Sequence, residues 1–123
     1  MPAKHFIIFL LIPLVLLSLV NLSHALAGRM QYYESITEAR KYYDEGINYF
    51  KTGEYEKAVE QFKKATESRP DYAEAYYWLG NCYKNLGESD KKVESFKKAI
   101  ELFSENIKSY KFISFKRRKQ FYK

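Results

Sequence analysis

A set of large and small residues recurs along this chain at one fixed offset. The first copy comprises Tyr42, Gly46, Tyr49, Phe62 and Ala65, and the second comprises Tyr76, Gly80, Tyr83, Phe96 and Ala99, each 34 positions further on. A constant period of about 34 residues is typical of helix–turn–helix units that stack into a solenoid. Small residues let two helices approach closely, and large ones fill the space beside the contact. The spacing therefore predicts an all-α fold of antiparallel helical hairpins.

Local signals place the first hairpin. Ser35-Ile-Thr-Glu38 has the form of a capping box, so a helix is predicted from near Ile36 to about Lys51. A second helix is predicted over Tyr55–Ser68, after a turn at Thr52–Glu54. Pro70 ends this helix, because proline disfavours helical geometry in the residue before it.

The second hairpin follows directly. Asp71 is the expected helix cap, with Glu74 three residues on. The two helices are predicted over Tyr72–Leu86 and Ser89–Phe103, with the turn at Asn85–Glu88.

These two units resemble the tetratricopeptide repeat (TPR) family. The runs that carry the resemblance are Gly46-Ile-Asn-Tyr49 and Gly53-Glu-Tyr-Glu-Lys-Ala-Val-Glu-Gln-Phe62 in the first unit, and Ala73-Glu-Ala-Tyr-Tyr-Trp-Leu-Gly-Asn-Cys-Tyr83 and Phe96-Lys-Lys-Ala-Ile-Glu101 in the second. The resemblance implies repeats at residues 39–72 and 73–106, preceded by a lead-in over residues 28–38.

Three positions depart from the family pattern. Glu45 stands where the family places leucine, Lys92 where it places a small alanine, and Ser104 where it places the closing proline. Lys92 is expected either to splay the second hairpin or to direct its amine outward past the neighbouring helix. The second repeat is therefore predicted to be the looser one.

Residues 107–123 form a basic extension. They carry seven Lys or Arg and no acid, whereas residues 28–106 carry 13 basic and 15 acidic side chains. Tyr110 and Ile113 fall at the positions where a third repeat would place its large aromatic residue and its leucine. The basic tail, which comprises Lys116, Arg117, Arg118 and Lys119, no longer fits the repeat pattern. The extension is predicted to be a capping helix that covers the last repeat, or the opening of a truncated third repeat.

The N-terminal 27 residues have the layout of a secretory signal peptide. Lys4 and His5 precede the apolar run Phe6–Val20, and small residues lead to a predicted cleavage between Ala27 and Gly28. An uncleaved anchor is the alternative, although the run is short for a membrane span and Pro13 interrupts it. Both interpretations place the repeats outside the cytoplasm, as a periplasmic, extracellular or membrane-anchored module.

The chain offers little for catalysis. Its only histidines, His5 and His24, lie in the predicted leader, so a cleaved chain has no imidazole for nucleophilic pairs or for a metal site. The single cysteine, Cys82, is expected to be a core thiol, with an intermolecular disulfide as the alternative. We therefore predict neither an enzyme nor a bound cofactor or metal.

The resemblance also implies a ligand-binding strip. Members of the family bind extended peptides or helices along the concave face lined by the first helices. The matching positions here are Tyr43, Ile47, Phe50, Tyr77, Asn81 and Lys84. The alternative is that these rings pack on the next helix or on the tail. A clamp for chaperone tails known in some relatives is not present, because Tyr43 and Ile47 stand in place of its lysine and asparagine.

The predicted function is an exported scaffold that binds a peptide or helix of a partner protein in this concave groove. The alternative is a membrane-tethered structural subunit that acts by self-association or by its basic tail on anionic lipid. No nucleic-acid partner is expected, because export argues against one. Since repeat arrays need about three units for a continuous core, a homodimer, a partner-stabilised fold or a larger assembly is expected.

Overall fold

The computed structural model describes residues 3–121, except for the side chains of residues 115, 116 and 118–121. Within this range the chain forms four α-helices and no strand: α1 (Ala3–Lys51), α2 (Tyr55–Ser68), α3 (Ala73–Leu86) and α4 (Ser89–Phe121). The all-α fold predicted from the 34-residue period is confirmed.

The chain divides into two compact units, Met1–Ser35 and Ile36–Lys123. In the first unit the apolar side chains from Phe6 to Leu26 are exposed. The second unit contains both hairpins.

The start of α1 differs from the prediction. The helix runs without a break from Ala3, so residues 28–38 are helical and the capping box at Ser35–Glu38 does not start a helix. The Ser35 hydroxyl instead donates a hydrogen bond to the Tyr32 carbonyl over 2.8 Å. Serine makes this backward bond to the preceding turn when it lies inside a helix.

Pro13 interrupts the apolar run in the sequence but lies inside α1 and does not end the helix. By length and composition, α1 contains a segment that could cross a membrane, although a signal sequence meets the same criteria. Proline has no backbone N–H, so it removes one hydrogen bond from the helix at this position.

The ends of the other helices follow the predicted turns closely. Gly53 and Gly87 adopt φ values of 80° and 76°. This left-handed conformation lets the chain reverse direction after the first helix of each hairpin. The first residue of α3 is Ala73, and Tyr72 is its cap without any side-chain capping bond. The prediction of Asp71 as the cap is wrong, because its carboxylate accepts a hydrogen bond from Arg69 Nε over 3.1 Å.

Each hairpin closes on a contact between a glycine and a phenylalanine. A Cβ added to Gly46 would lie 2.7 Å from the Phe62 ring, and one added to Gly80 would lie 2.7 Å from the Phe96 ring. The helix axes can approach this closely only because both positions lack a side chain. The second hairpin is therefore not splayed, and that expectation for Lys92 is wrong.

The two phenylalanines differ in what covers them. Phe62, on α2, is fully buried against α1 and α3, in one core with Ala58, Leu79, Cys82 and Tyr83. Phe96 is only half-buried. The second repeat is less enclosed because no further hairpin packs on it within residues 3–121, and not because its own two helices separate.

Equivalent charged contacts occur at both turns. Lys57 pairs with Glu54 and lies 5.5 Å from the centre of the Tyr49 ring. Lys91, which is 34 positions later, pairs with Glu88 and lies 5.5 Å from the centre of the Tyr83 ring. These ion pairs are exposed and contribute little stability.

The basic extension does not form a separate cap. Residues 107–121 continue α4 in one helix that begins at Ser89. Ser104 takes the place of a closing proline, and its hydroxyl donates to the Glu101 carbonyl over 2.7 Å inside the helix. Because nothing breaks the helix there, Ile107, Tyr110, Phe112 and Ile113 stay exposed and do not cover the last repeat.

Candidate partner-binding surface

The first-repeat half of the predicted strip lies in the junction between the repeats. The Tyr43 hydroxyl accepts a hydrogen bond from Trp78 Nε1 over 2.9 Å, and its ring stacks on Tyr72 at 5.1 Å. Phe50 meets the edge of Trp78 at 4.9 Å, and Ile47 packs on the same core. These three side chains are already occupied by contacts within the chain.

Burial raises the pKa values of the two phenols of this junction above their ordinary range. Desolvation raises the pKa of Tyr43, and the hydrogen bond from Trp78 opposes this shift. Desolvation also raises the pKa of Tyr72. A neutral phenol accepts from Trp78 without a buried charge, so the contact between the repeats does not change across physiological pH.

The second-repeat half of the strip is open. Tyr77 is 46% exposed, and its ring lies 5.7 Å from Phe96 and 5.8 Å from Trp78. Asn81 is half-buried and donates through Nδ2 to the Tyr77 carbonyl over 3.1 Å, and Lys84 is exposed. The structure therefore divides the six predicted residues into three in the junction and three at the surface. Peptide binding by any of them stays a prediction.

A second concave region lies where the sequence predicted no site. A groove of about 610 Å³ is bounded by α2, α3 and α4, and Tyr76, Leu79 and Tyr83 form part of its floor. Its charged lining residues are Lys63, Lys91, Lys97, Lys98, Glu94 and Glu101. Lys91 and Lys98 pair with Glu88 and Glu101, so part of this charge is neutralised locally. A lysine at the same repeat position in both units, Lys63 and Lys97, is the sequence signal that could have indicated this groove.

The basic tail is only partly described. Arg117 is exposed on α4, whereas the side chains of Lys116, Arg118 and Lys119 lie outside the described part of the chain. Contact of this tail with anionic lipid or an acidic protein stays a prediction.

Cys82 is a buried core thiol, as predicted. Burial raises the pKa of the Cys82 thiol to about 12. A thiol held in its protonated form is a poor nucleophile, so Cys82 is structural and not reactive.

We expect Cys82 to leave the free energy of unfolding unchanged between pH 7 and about pH 9 and to lower it above pH 9. The unfolded chain releases the Cys82 proton near pH 9, whereas the folded chain holds it to about pH 12. Stability is therefore lost between these values, at up to about 1.4 kcal/mol per pH unit for one such group. Urea denaturation of the full chain in mild detergent at a series of pH values measures this fall. Cys82→Ala should delay it until tyrosine ionises, and equal losses in both chains just above pH 9 would contradict the assignment.

Comparison with known proteins supports the repeat assignment. Residues 46–87 match a family model described as TPR repeat, and residues 73–106 match one described as tetratricopeptide repeat. Both matches support a module of the tetratricopeptide class, whose repeats serve in protein–protein interaction.

A solved structure shares this fold. The chain titled "Crystal structure of MamA", a TPR protein, matches with a TM-score of 0.56 and 36% sequence identity. The match covers 57% of the present chain and 41% of that chain, so it extends over less than half of the MamA chain. Among curated proteins, no relative matches the sequence.

Proposed function

We propose that this chain is an exported protein-interaction module that binds a partner segment on the open strip formed by Tyr77, Asn81 and Lys84. Two tetratricopeptide repeats support the class of function. The single observation that carries the proposed position is the exposure of Tyr77, whose counterpart in the first repeat, Tyr43, is covered by Tyr72 and by Trp78 of the next helix.

The chemistry of the strip indicates the partner. The exposed face of Tyr77 can stack on an apolar or planar group. Asn81 uses Nδ2 for the Tyr77 carbonyl, which leaves Oδ1 to accept from a peptide N–H. Lys84 adds an exposed cation about two helical turns from Tyr77. The strip therefore suits an extended or helical segment that carries an apolar side chain and a carboxylate.

We further propose that α1 holds the module at the outer face of a membrane. Its apolar part is long enough to cross a bilayer, and the helix continues unbroken past Ala27 and Gly28. Retention of this helix would leave the repeats tethered, whereas cleavage between Ala27 and Gly28 would release them. Mass spectrometry of the mature chain tests this: loss of residues 1–27 would favour free export instead.

Binding to the strip should depend on Lys84. Selection from a displayed library of random peptides should enrich sequences with an acidic and an apolar residue, and Lys84→Glu should weaken their affinity about tenfold. Fluorescence polarisation with the enriched peptides and the full chain in detergent measures this.

The matched control is Lys97→Glu, which changes the same charge in the groove bounded by α2, α3 and α4. We expect it to leave affinity within about twofold, because the site is on another helix. Equal losses for both variants, or no enrichment of acidic peptides, would contradict the proposed strip.

A further inference from the structure

The junction between the two repeats shows how one unit of this array docks on the next. In it the ring of Phe50 lies 4.9 Å from the ring of Trp78, and Ala58 shares one buried core with Leu79. Phe50 and Ala58 come from the first repeat, whereas Trp78 and Leu79 come from the second. Because both repeats follow one 34-residue period, each outer surface of the array carries the counterparts of one side of this junction.

The surface that follows the second repeat, which we call the C-terminal face, carries two lysines at junction positions. Lys84 stands 34 positions after Phe50, and Lys92 stands 34 positions after Ala58. The apolar members of this face are Tyr77, Val93 and Phe96. The first two are 46% and 61% exposed, so no described residue covers this face in the way that α3 covers the first repeat.

The opposite surface of the array, which we call the N-terminal face, is acidic at the matching positions. Asp44 stands 34 positions before Trp78, and Glu45 stands 34 positions before Leu79. The Asp44 side chain is 62% exposed and pairs with Arg40 over 3.9 Å. Glu45 is half-buried and forms no ion pair with any side chain that the structure describes. Both carboxylates are therefore open to a further partner.

Shifting the junction by one repeat sets these opposite charges against each other. When the N-terminal face of a second copy docks on the C-terminal face of the first in the junction geometry, Lys84 of one copy meets Asp44 of the other. The same shift places Lys92 beside Glu45, in the position of the core that α2 forms with α3. We infer that copies of this chain stack head to tail, with residues 36–51 of one copy lying on the C-terminal face of the other.

The pattern of charge favours stacking over a merely solvated surface. Terminal repeats need polar outer faces for solubility, but charges of either sign serve that purpose. Here the two faces carry opposite signs at positions that the junction brings together. Lys41, the cation beside the two acids, is the counterpart of Ala75, which packs in one core with Ala65. The shift therefore sets Lys41 against Ala99 rather than against a lysine.

This inference rests on the proposed function, because Tyr77 and Lys84 belong to the open strip, and it names a second copy as the partner bound there. Residues 36–51 supply what the strip requires, a helical segment with the carboxylate of Asp44 and the half-buried ring of Tyr42. Because the two faces of a head-to-tail contact differ, each added copy leaves one face of each kind open, and association continues beyond a dimer.

Charge reversal in the full chain in mild detergent tests the contact. Sedimentation equilibrium of the wild-type chain should show a series of species beyond the dimer, whose association weakens as salt increases. Lys92→Glu and Glu45→Lys should each raise the dissociation constant at least about tenfold, because each variant sets like charges against each other. The double variant, Lys92→Glu with Glu45→Lys, should return the constant to within about threefold of wild type, since opposite charges meet again. Such a rescue excludes misfolding as the cause of the losses.

Lys51→Glu is the matched control, because Lys51 is exposed and its counterpart Asn85 is exposed outside the junction. It should change the constant less than about threefold. A wild-type chain that stays monomeric, a double variant that associates no better than the single variants, or an equal loss in Lys51→Glu would overturn the inference. If a monomeric chain still binds the enriched peptides in a manner that depends on Lys84, the inference fails and the proposed strip stands.

Discussion

Phe62→Ala is expected to lower the free energy of unfolding of the two hairpins by about 3–5 kcal/mol. Phe62 is fully buried, its ring fills the space left by Gly46, and it stacks near Trp78 at 6.4 Å. Truncation removes the side chain that joins the first hairpin to the second, and the glycine opposite it cannot fill the cavity. Urea denaturation of the full chain in mild detergent, followed by far-ultraviolet circular dichroism, measures the loss.

Phe96→Ala is the control for this prediction. Phe96 makes the same contact with its glycine but is only half-buried. Its truncation should cost about 1–2 kcal/mol, because less surface is removed from contact. Equal losses for the two variants would contradict the difference in burial between the repeats.

Trp78→Ala is expected to cost about 3 kcal/mol and to uncouple the two hairpins. Trp78 contacts Phe50 and Phe62 across the junction and donates to the Tyr43 hydroxyl. In repeat arrays the contact between neighbouring units supplies much of the cooperativity, so its loss should let each hairpin open separately. Hydrogen exchange measured by mass spectrometry should show α2 and α4 losing protection at different urea concentrations.

Tyr43→Phe isolates the hydrogen bond within that contact. It keeps the ring stack on Tyr72 and removes only the acceptor for Trp78, so we expect a loss of about 1 kcal/mol. If Trp78→Ala leaves α2 and α4 exchanging together at one stability, the junction does not couple the repeats.

The hairpins could be predicted from the sequence because their signals are local. Gly53 and Gly87 mark turns that only a residue without a side chain enters easily, and the predicted α2 matches the observed Tyr55–Ser68. The packing of Gly46 on Phe62 follows from size alone once the helices are placed.

The predictions that failed depend on competition between local signals. Ser35 and Glu38 fit a capping box, but the residues before them also form helix well, and a serine inside a helix satisfies its hydroxyl at the previous turn. The extension after Ser104 could have turned back as a cap only with a residue that breaks the helix, and residues 104–113 contain no glycine or proline.

The binding strip was only half predictable. Family positions identify the side chains on the first helices, but which of them remain open depends on how the next repeat is docked. Trp78 closes over Tyr43, and no described residue occupies the equivalent position over Tyr77. The hydrogen bond between Trp78 and Tyr43 joins residues 35 positions apart, so no pattern within a few residues of sequence could predict it.

The identical lysine, glutamate and tyrosine contacts at the two turns bear on how this chain could be re-engineered. Each 34-residue unit carries its own turn, its own ion pair and its own lysine over tyrosine, so these features need nothing from a neighbouring unit. Residues 39–72, however, carry Asp44 and Glu45 at the positions that Trp78 and Leu79 hold in the second unit, so a duplicated copy would need both replaced before it could dock on the preceding unit in the same way. What such a copy must rebuild is the aromatic junction and the core that α2 forms with α3, since both span the two units.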